Sequence, residues 1–137
     1  MAKRKKKQPK RYFNQQAVTI HKKNAHTVGD YFTLDVKHNN KAMRELSATA
    51  YKMYIYLCQY QTETTHYLSC EHFMKTTGVS EPSYRSSKKE LIKKHYLNKR
   101  EDGDFDFYNY PNKLPTEQEK IINEIIAKDK EKLESEN

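Results

Sequence analysis

The stretch from Ser80 to Lys94 concentrates side chains able to contact phosphates and polar ring edges. It carries Arg85, Lys88, Lys89, Lys93 and Lys94 against Glu81 and Glu90, a net charge of +3, with Ser83 and Ser86 interleaved. Ser80 stands where a helix N-cap belongs, and Pro82 is tolerated in the first turn because the N–H it lacks would have no intrahelical partner. Helical spacing with Tyr84, Ser87 or Lys88, and Leu91 with Ile92 facing inward leaves Glu81, Ser83, Arg85, Ser86, Lys88 or Lys89, and Lys93 facing outward. The planar fork of Arg85 matches the O6/N7 pair of guanine, so Arg85 is the first candidate to read a base. Ser83, Ser86 and Lys89 are the further base-reading candidates. Lys88, Lys93 and Lys94 suit phosphate better.

A second cationic segment lies at the N-terminus. Lys3, Arg4, Lys5, Lys6, Lys7, Lys10 and Arg11 stand together with no acidic residue among them. Such a block repels itself and does not fold alone. Tracking a phosphate backbone by counterion release would give it affinity without sequence preference and a steep dependence on salt. The two basic segments agree, which favours nucleic acid over a merely solvated helix face and a solubilising leader.

Other chemistries find less support. The three Gly are all separated, so there is no Gly-rich phosphate loop. His66, Cys70 and His72 approach ligand spacing but lack a fourth partner, and no metal is expected. Asp102-x-Asp104-x-Asp106 has the spacing of a calcium loop. Phe107 stands where that loop needs Gly, however, and Lys113 where it needs Glu. With no nucleophile beside a base, and no carboxylate pair that periodicity would hold together, the chain is read as a binding protein without cofactor and not as an enzyme.

The elements that position these residues must come from a small core. The chain has 137 residues, room for one domain with tails. Leu, Ile, Val and Phe make up under a fifth of it, and Tyr fills the gap, with ten of eleven Tyr between Tyr31 and Tyr110. The longest apolar run, Met53 to Cys58, is far short of a bilayer span of roughly 20 residues. The N-terminus lacks the apolar stretch of a secretory signal, so a cytoplasmic bacterial location without membrane contact is expected. Cys58 and Cys70 read as buried, reduced thiols.

Tyr31 to Val36 alternates, which predicts a short strand with Phe32, Leu34 and Val36 on one face. Ser47 predicts an N-cap, and from Ala48 to about Gln61 no Gly or Pro interrupts a central helix, whose polar line runs through Glu45, Thr49, Lys52, Gln59 and Glu63 and takes in Tyr56. His66-Tyr67-Leu68 is a short strand. Ser69 caps a helix from Cys70 to Thr77, which Gly78 ends at a left-handed position. After the helix from Ser80, Tyr96 and Leu97 open a strand, Asp102-Gly103 centres a hairpin turn, and Phe105 to Tyr110 returns.

That order, with Gly78-Val79-Ser80-Glu81-Pro82-Ser83-Tyr84-Arg85 followed by Leu91 and Tyr96-Leu97, resembles the winged helix-turn-helix. With Leu34-Asp35-Val36 and the run Leu46 to Leu57 it is similar to replication initiator and regulator domains of Gram-positive phages and plasmids. The resemblance implies an α+β, mainly α fold: a flexible basic arm (residues 1–30), a winged helix-turn-helix domain (31–112) and an added C-terminal helix (113–137). It implies that helix 80–94 enters the major groove of double-stranded DNA. Two positions depart from the pattern: Tyr84 stands where a smaller aliphatic residue is usual, and His95 where Gly is common before the wing. Lys99 and Arg100 at the wing base are further phosphate candidates, while Glu101, Asp102, Asp104 and Asp106 would repel phosphate from the tip.

Thr116-x-x-Glu119 is a capping-box sequence, and Ile121, Ile122, Ile125 and Ile126 form a narrow stripe behind it, continued weakly by Leu133. The stripe either lies back on the domain or pairs with a second copy. A homodimer on repeated half-sites is expected, and the helix is expected to fray from Asp129 onwards. The resemblance and the Lys-, Asn- and Tyr-rich composition point to a mobile element, with the chain as a regulator or a replication or transfer accessory protein. A second reading is a protein-interaction adaptor recruiting a helicase or relaxase, with DNA held only by the arm. Single-strand binding by the arm and an aromatic wing ranks below both.

Overall fold

The computed structural model describes residues 16–113 and 117–135. The arm cations Lys3, Arg4, Lys5, Lys6, Lys7, Lys10 and Arg11 lie outside the described residues, as does Thr116. The elements are β1 (Gln16–His21), β2 (Thr27–Val28), β3 (Tyr31–Phe32), α1 (Val36–Glu45), α2 (Ala48–Cys58), β4 (Thr65–Leu68), α3 (Cys70–Thr77), α4 (Glu81–Lys93), β5 (Leu97–Lys99), β6 (Phe105–Tyr108) and α5 (Glu117–Ser135). The architecture is mixed α/β, with helices on one sheet of order β4-β1-β6-β5 and a small β2-β3 ribbon.

β1 corrects the expected domain boundary. Residues 16–30 were assigned to the arm, yet β1 lies inside the sheet, antiparallel to β4 and parallel to β6. Val18 and Ile20 are fully buried in the core. The wing hairpin also reaches β1 through a side chain, because the Ala17 N–H donates to Asp104 Oδ1 at 3.1 Å. The turn between β5 and β6 falls at Asp102-Gly103 as the sequence predicts, and Gly103 takes φ +89° there.

The strand expected over Tyr31 to Val36 is confined to Tyr31–Phe32. Val36 is exposed and opens α1, which Asp35 caps by accepting from the His38 N–H at 2.9 Å. Helix α1 buries only Ala42, so its sequence carries little hydrophobic signal.

The central helix α2 starts at its Ser47 cap and ends at Cys58, short of Gln61. Its C-terminus meets Lys22, whose buried ammonium donates to the Cys58 carbonyl at 2.9 Å and to Thr27 Oγ1 at 2.7 Å. A cation at this end complements the helix dipole. Burial lowers the Lys22 pKa and pushes the Cys58 thiol up to about 12, so that thiol stays neutral. Tyr56, assigned to the polar line, is buried instead: its hydroxyl bonds His72 Nδ1 at 2.5 Å and accepts from Tyr60 at 3.2 Å. His66 packs against Tyr60 with tilted rings, centroids 3.8 Å apart, so tyrosines engage both histidines of the weak metal-spacing motif.

Helix α3 runs from its Ser69 cap to Gly78, which takes φ +75°. After α4 the chain reverses at His95, a non-glycine residue at φ +68°. The left-handed conformation here explains why Gly suits this position, and His95 bears strain of roughly 1–2 kcal/mol. Helix α5 continues past Asp129 to Ser135. Its described side chains are all exposed, so the Ile stripe does not lie back on the domain.

Two stability measurements follow from this packing. Ile20→Ala removes a fully buried side chain from the sheet's interior and is expected to cost about 2–5 kcal/mol in denaturant unfolding. His95→Gly should relieve the left-handed strain and stabilise the domain by about 1 kcal/mol, read as a raised melting temperature.

Candidate nucleic-acid interface

Helices α3 and α4 meet across the turn Gly78-Val79-Ser80, and Tyr84 holds the junction. Its ring is buried and packs on Phe73, centroids 5.4 Å apart. The larger side chain thus fills the space between the two helices. Burial pushes its hydroxyl up to about 12, which keeps it neutral. Tyr84, Ser87 and Leu91 face inward as predicted, whereas Ile92 is over a third exposed at 37%. The Ser87 hydroxyl is buried without a hydrogen-bond partner.

Helix α4 divides into an anchored half and a projecting half. In the C-terminal half, Glu90 accepts from the Ser47 N–H at 2.8 Å and so caps α2. Lys94 donates to the Glu45 carbonyl at the end of α1 and lies 3.8 Å from Glu90. Lys94 was a phosphate candidate, but the structure commits its ammonium to holding α4 against α1. Ahead of Glu90, Arg85, Ser86 and Lys89 are exposed and Ser83 is half-buried. Arg85 pairs with Glu81 at 2.5 Å, an exposed i,i+4 contact worth about 0.3–0.5 kcal/mol, which a base or phosphate can displace. The Ser83 and Ser86 hydroxyls have local partners: Ser83 bonds Ser80 Oγ at 3.1 Å, and Ser86 donates to the Ser83 carbonyl at 3.1 Å. Lys93 is exposed on the same helix.

The remaining candidates separate. Arg100 lies 3.0 Å from Asp102, 3.8 Å from Asp104 and 3.7 Å from Asp106, and these carboxylates raise its pKa. It was a phosphate candidate, and the structure instead gives its charge to the hairpin itself. Lys99 is exposed beside it. Lys88 turns away from the outer face: its Nζ donates to Gln16 Oε1 and sits 5.0 Å from the Phe105 ring centroid. Lys88 therefore enters a cleft of about 650 Å³ between α4 and the hairpin. Gln16 was not anticipated from the sequence, whereas Phe105 belongs to the aromatic wing that the lowest-ranked reading offers to unpaired bases. Alternating Ala17-Val18-Thr19-Ile20 is the signal that could have placed a strand beside Gln16.

The segment that carries this geometry has a recognised counterpart. Residues 44–97 match the family model of a helix-turn-helix domain. The matched stretch runs from the end of α1 to the start of β5, less than half of the chain, and contains α3, the Gly78 turn and α4. It supports reading the protein as a helix-turn-helix DNA-binding protein. No curated protein and no solved structure matches the chain. Among the described residues no helix is long and apolar enough to cross a membrane.

Proposed function

We propose that the protein is a winged-helix protein that binds double-stranded DNA, with the N-terminal half of α4 in the major groove. The observation that carries this reading is the arrangement of α4 within the matched segment: Glu90 and Lys94 tie its end to α2 and α1, while Arg85, Ser86 and Lys89 ahead of them are exposed. Arg85 is assigned to a guanine edge, and Ser83, Ser86 and Lys89 to neighbouring bases or phosphates. Lys93 and Lys99 take phosphates, and the basic arm adds sequence-independent contacts along the backbone or in the minor groove. The β5–β6 hairpin serves as the wing and approaches DNA by its base, since its tip is occupied by Asp102, Asp104 and Asp106 around Arg100.

The biological setting follows from the resemblance to initiator and regulator domains of phages and plasmids: a mobile-element protein acting as transcriptional regulator or as replication or transfer accessory protein, binding without catalysis. A homodimer through α5 fits this role, because Ile121, Ile122, Ile125 and Ile126 are each more than half exposed at 54–55%. The same apolar face favours a second reading, an adaptor whose α5 recruits a replication or transfer protein.

Binding across a salt series tests the proposal. Arg85→Ala is expected to cost about 1–3 kcal/mol at one base pair and to relax specificity there. Deleting residues 1–11 should weaken all duplexes alike and flatten the salt slope. Unchanged site preference in Arg85→Ala would remove α4 from the major groove. For assembly, Ile122→Glu with Ile125→Glu should shift a dimer to monomer in sedimentation, and a wild-type chain that sediments as a monomer would leave the adaptor reading.

A further inference from the structure

β1 lies between β4 and β6, and a cleft of about 650 Å³ lies between α4 and the hairpin, with Gln16 of β1 and Leu68 of β4 in its lining. Its apolar lining includes Leu68, Tyr84 and Phe105, all nearly buried, with Ile92 at the rim. Lys88, Lys89 and Lys99 add three ammonium groups. Glu81 is the acid lining this cleft, and Arg85 already pairs with it. Among the described residues no carboxylate lies within ion-pair distance of the three lysines.

Lys88 is the informative member. It is half-buried, its acceptor is the neutral amide of Gln16, and the Phe105 ring lies beside it. Burial, then the charge of Lys99, lowers its pKa. Two cations converging in a partly desolvated cleft are stabilised by an anion that enters between them. A duplex backbone offers phosphate and sugar, which would leave the apolar wall uncovered. A nucleotide with an unpaired base offers both a phosphate and a flat apolar ring.

We propose that this cleft binds an unpaired nucleotide, with its phosphate held by Lys88, Lys89 and Lys99 and its base against Phe105, Tyr84 and Leu68. The ligand comes either as a free mononucleotide or as one residue of a single strand. The cleft borders the outward face of α4 and shares Lys89 and Lys99 with it, while Lys88, Phe105 and Leu68 belong to the cleft alone; the inference does not rest on the duplex reading.

Titration of the full-length protein, followed by calorimetry and by the NMR signals of the Phe105 ring, tests it. The probes are thymidine and adenosine monophosphates, inorganic phosphate, oligothymidylate of about eight nucleotides, and the same oligomer with one abasic position. Binding of the monophosphates, with contacts between base protons and the Phe105 ring, would support the proposal and identify a free nucleotide. Binding of the oligomer alone, with those contacts and about tenfold loss in the abasic form, would support it and identify a strand. Lys88→Gln and Lys99→Gln are each expected to reduce the same affinity about tenfold. Since Lys99 is exposed, its variant should keep the fold even if the Lys88 variant does not. Equal binding of inorganic phosphate and nucleotide, indifference to the abasic position, or unchanged affinity in folded Lys99→Gln would overturn it. So would Phe105 signals that respond to duplex alone.

Discussion

Both edges of β1 are paired, β4 antiparallel on one side and β6 parallel on the other, and the rest of the domain is arranged around this. Val18 and Ile20 place its apolar face in the core beneath the helices. The next residues supply Lys22 for the end of α2, while Gln16 at the other end touches both the turn carbonyl of Gly103 and the ammonium of Lys88. One strand thus sets the position of the central helix, the hairpin and the cleft beside α4. Removing it would leave β4 and β6 each with an open edge, which a sheet of such short strands tolerates poorly.

Charge is sorted by the same framework. Cations that hold the fold together are consumed locally: Lys22 at the end of α2, Lys94 at the end of α1, and Arg100 among three aspartates. Those that remain on α4 and β5 are Arg85 with its weak exposed partner and Lys88, Lys89, Lys93 and Lys99, of which all but Lys93 line the cleft. A count of basic residues along the sequence cannot make this distinction. Whether a lysine meets a helix C-terminus or open water depends on elements far away in the chain.

What the sequence made legible was local. Ser47, Ser69 and Ser80 each accept from the backbone N–H three residues on, and Gly78 sits in the left-handed region, so cap chemistry located α2, α3 and α4 within a few residues. The Asp102-Gly103 turn was legible for the same reason. Less legible was whatever depends on distant partners. β1 finds β6 almost ninety positions away, with Ala17 and Asp104 separated by 87. Helix α1 buries one alanine, and Tyr56 looked solvent-facing because its partner, His72, belongs to another helix. On α4, helical spacing anticipated the exposure of Arg85 and Ser86, while Lys88 was drawn aside by Phe105 and Gln16, which periodicity on α4 could not reveal.

The parallel pairing of β1 with β6 also has a temporal side. During synthesis the first strand leaves the ribosome long before its neighbour in the hairpin exists, and closing so long a loop makes this contact late and slow. Helices α2 to α4 gather local contacts in the meantime, beside a β-branched segment whose polar edge is still open. The cleft therefore has no floor until the last strand is added. A nascent chain cut short before Phe105 would lack both the β1–β6 pairing and the Phe105 wall of the cleft.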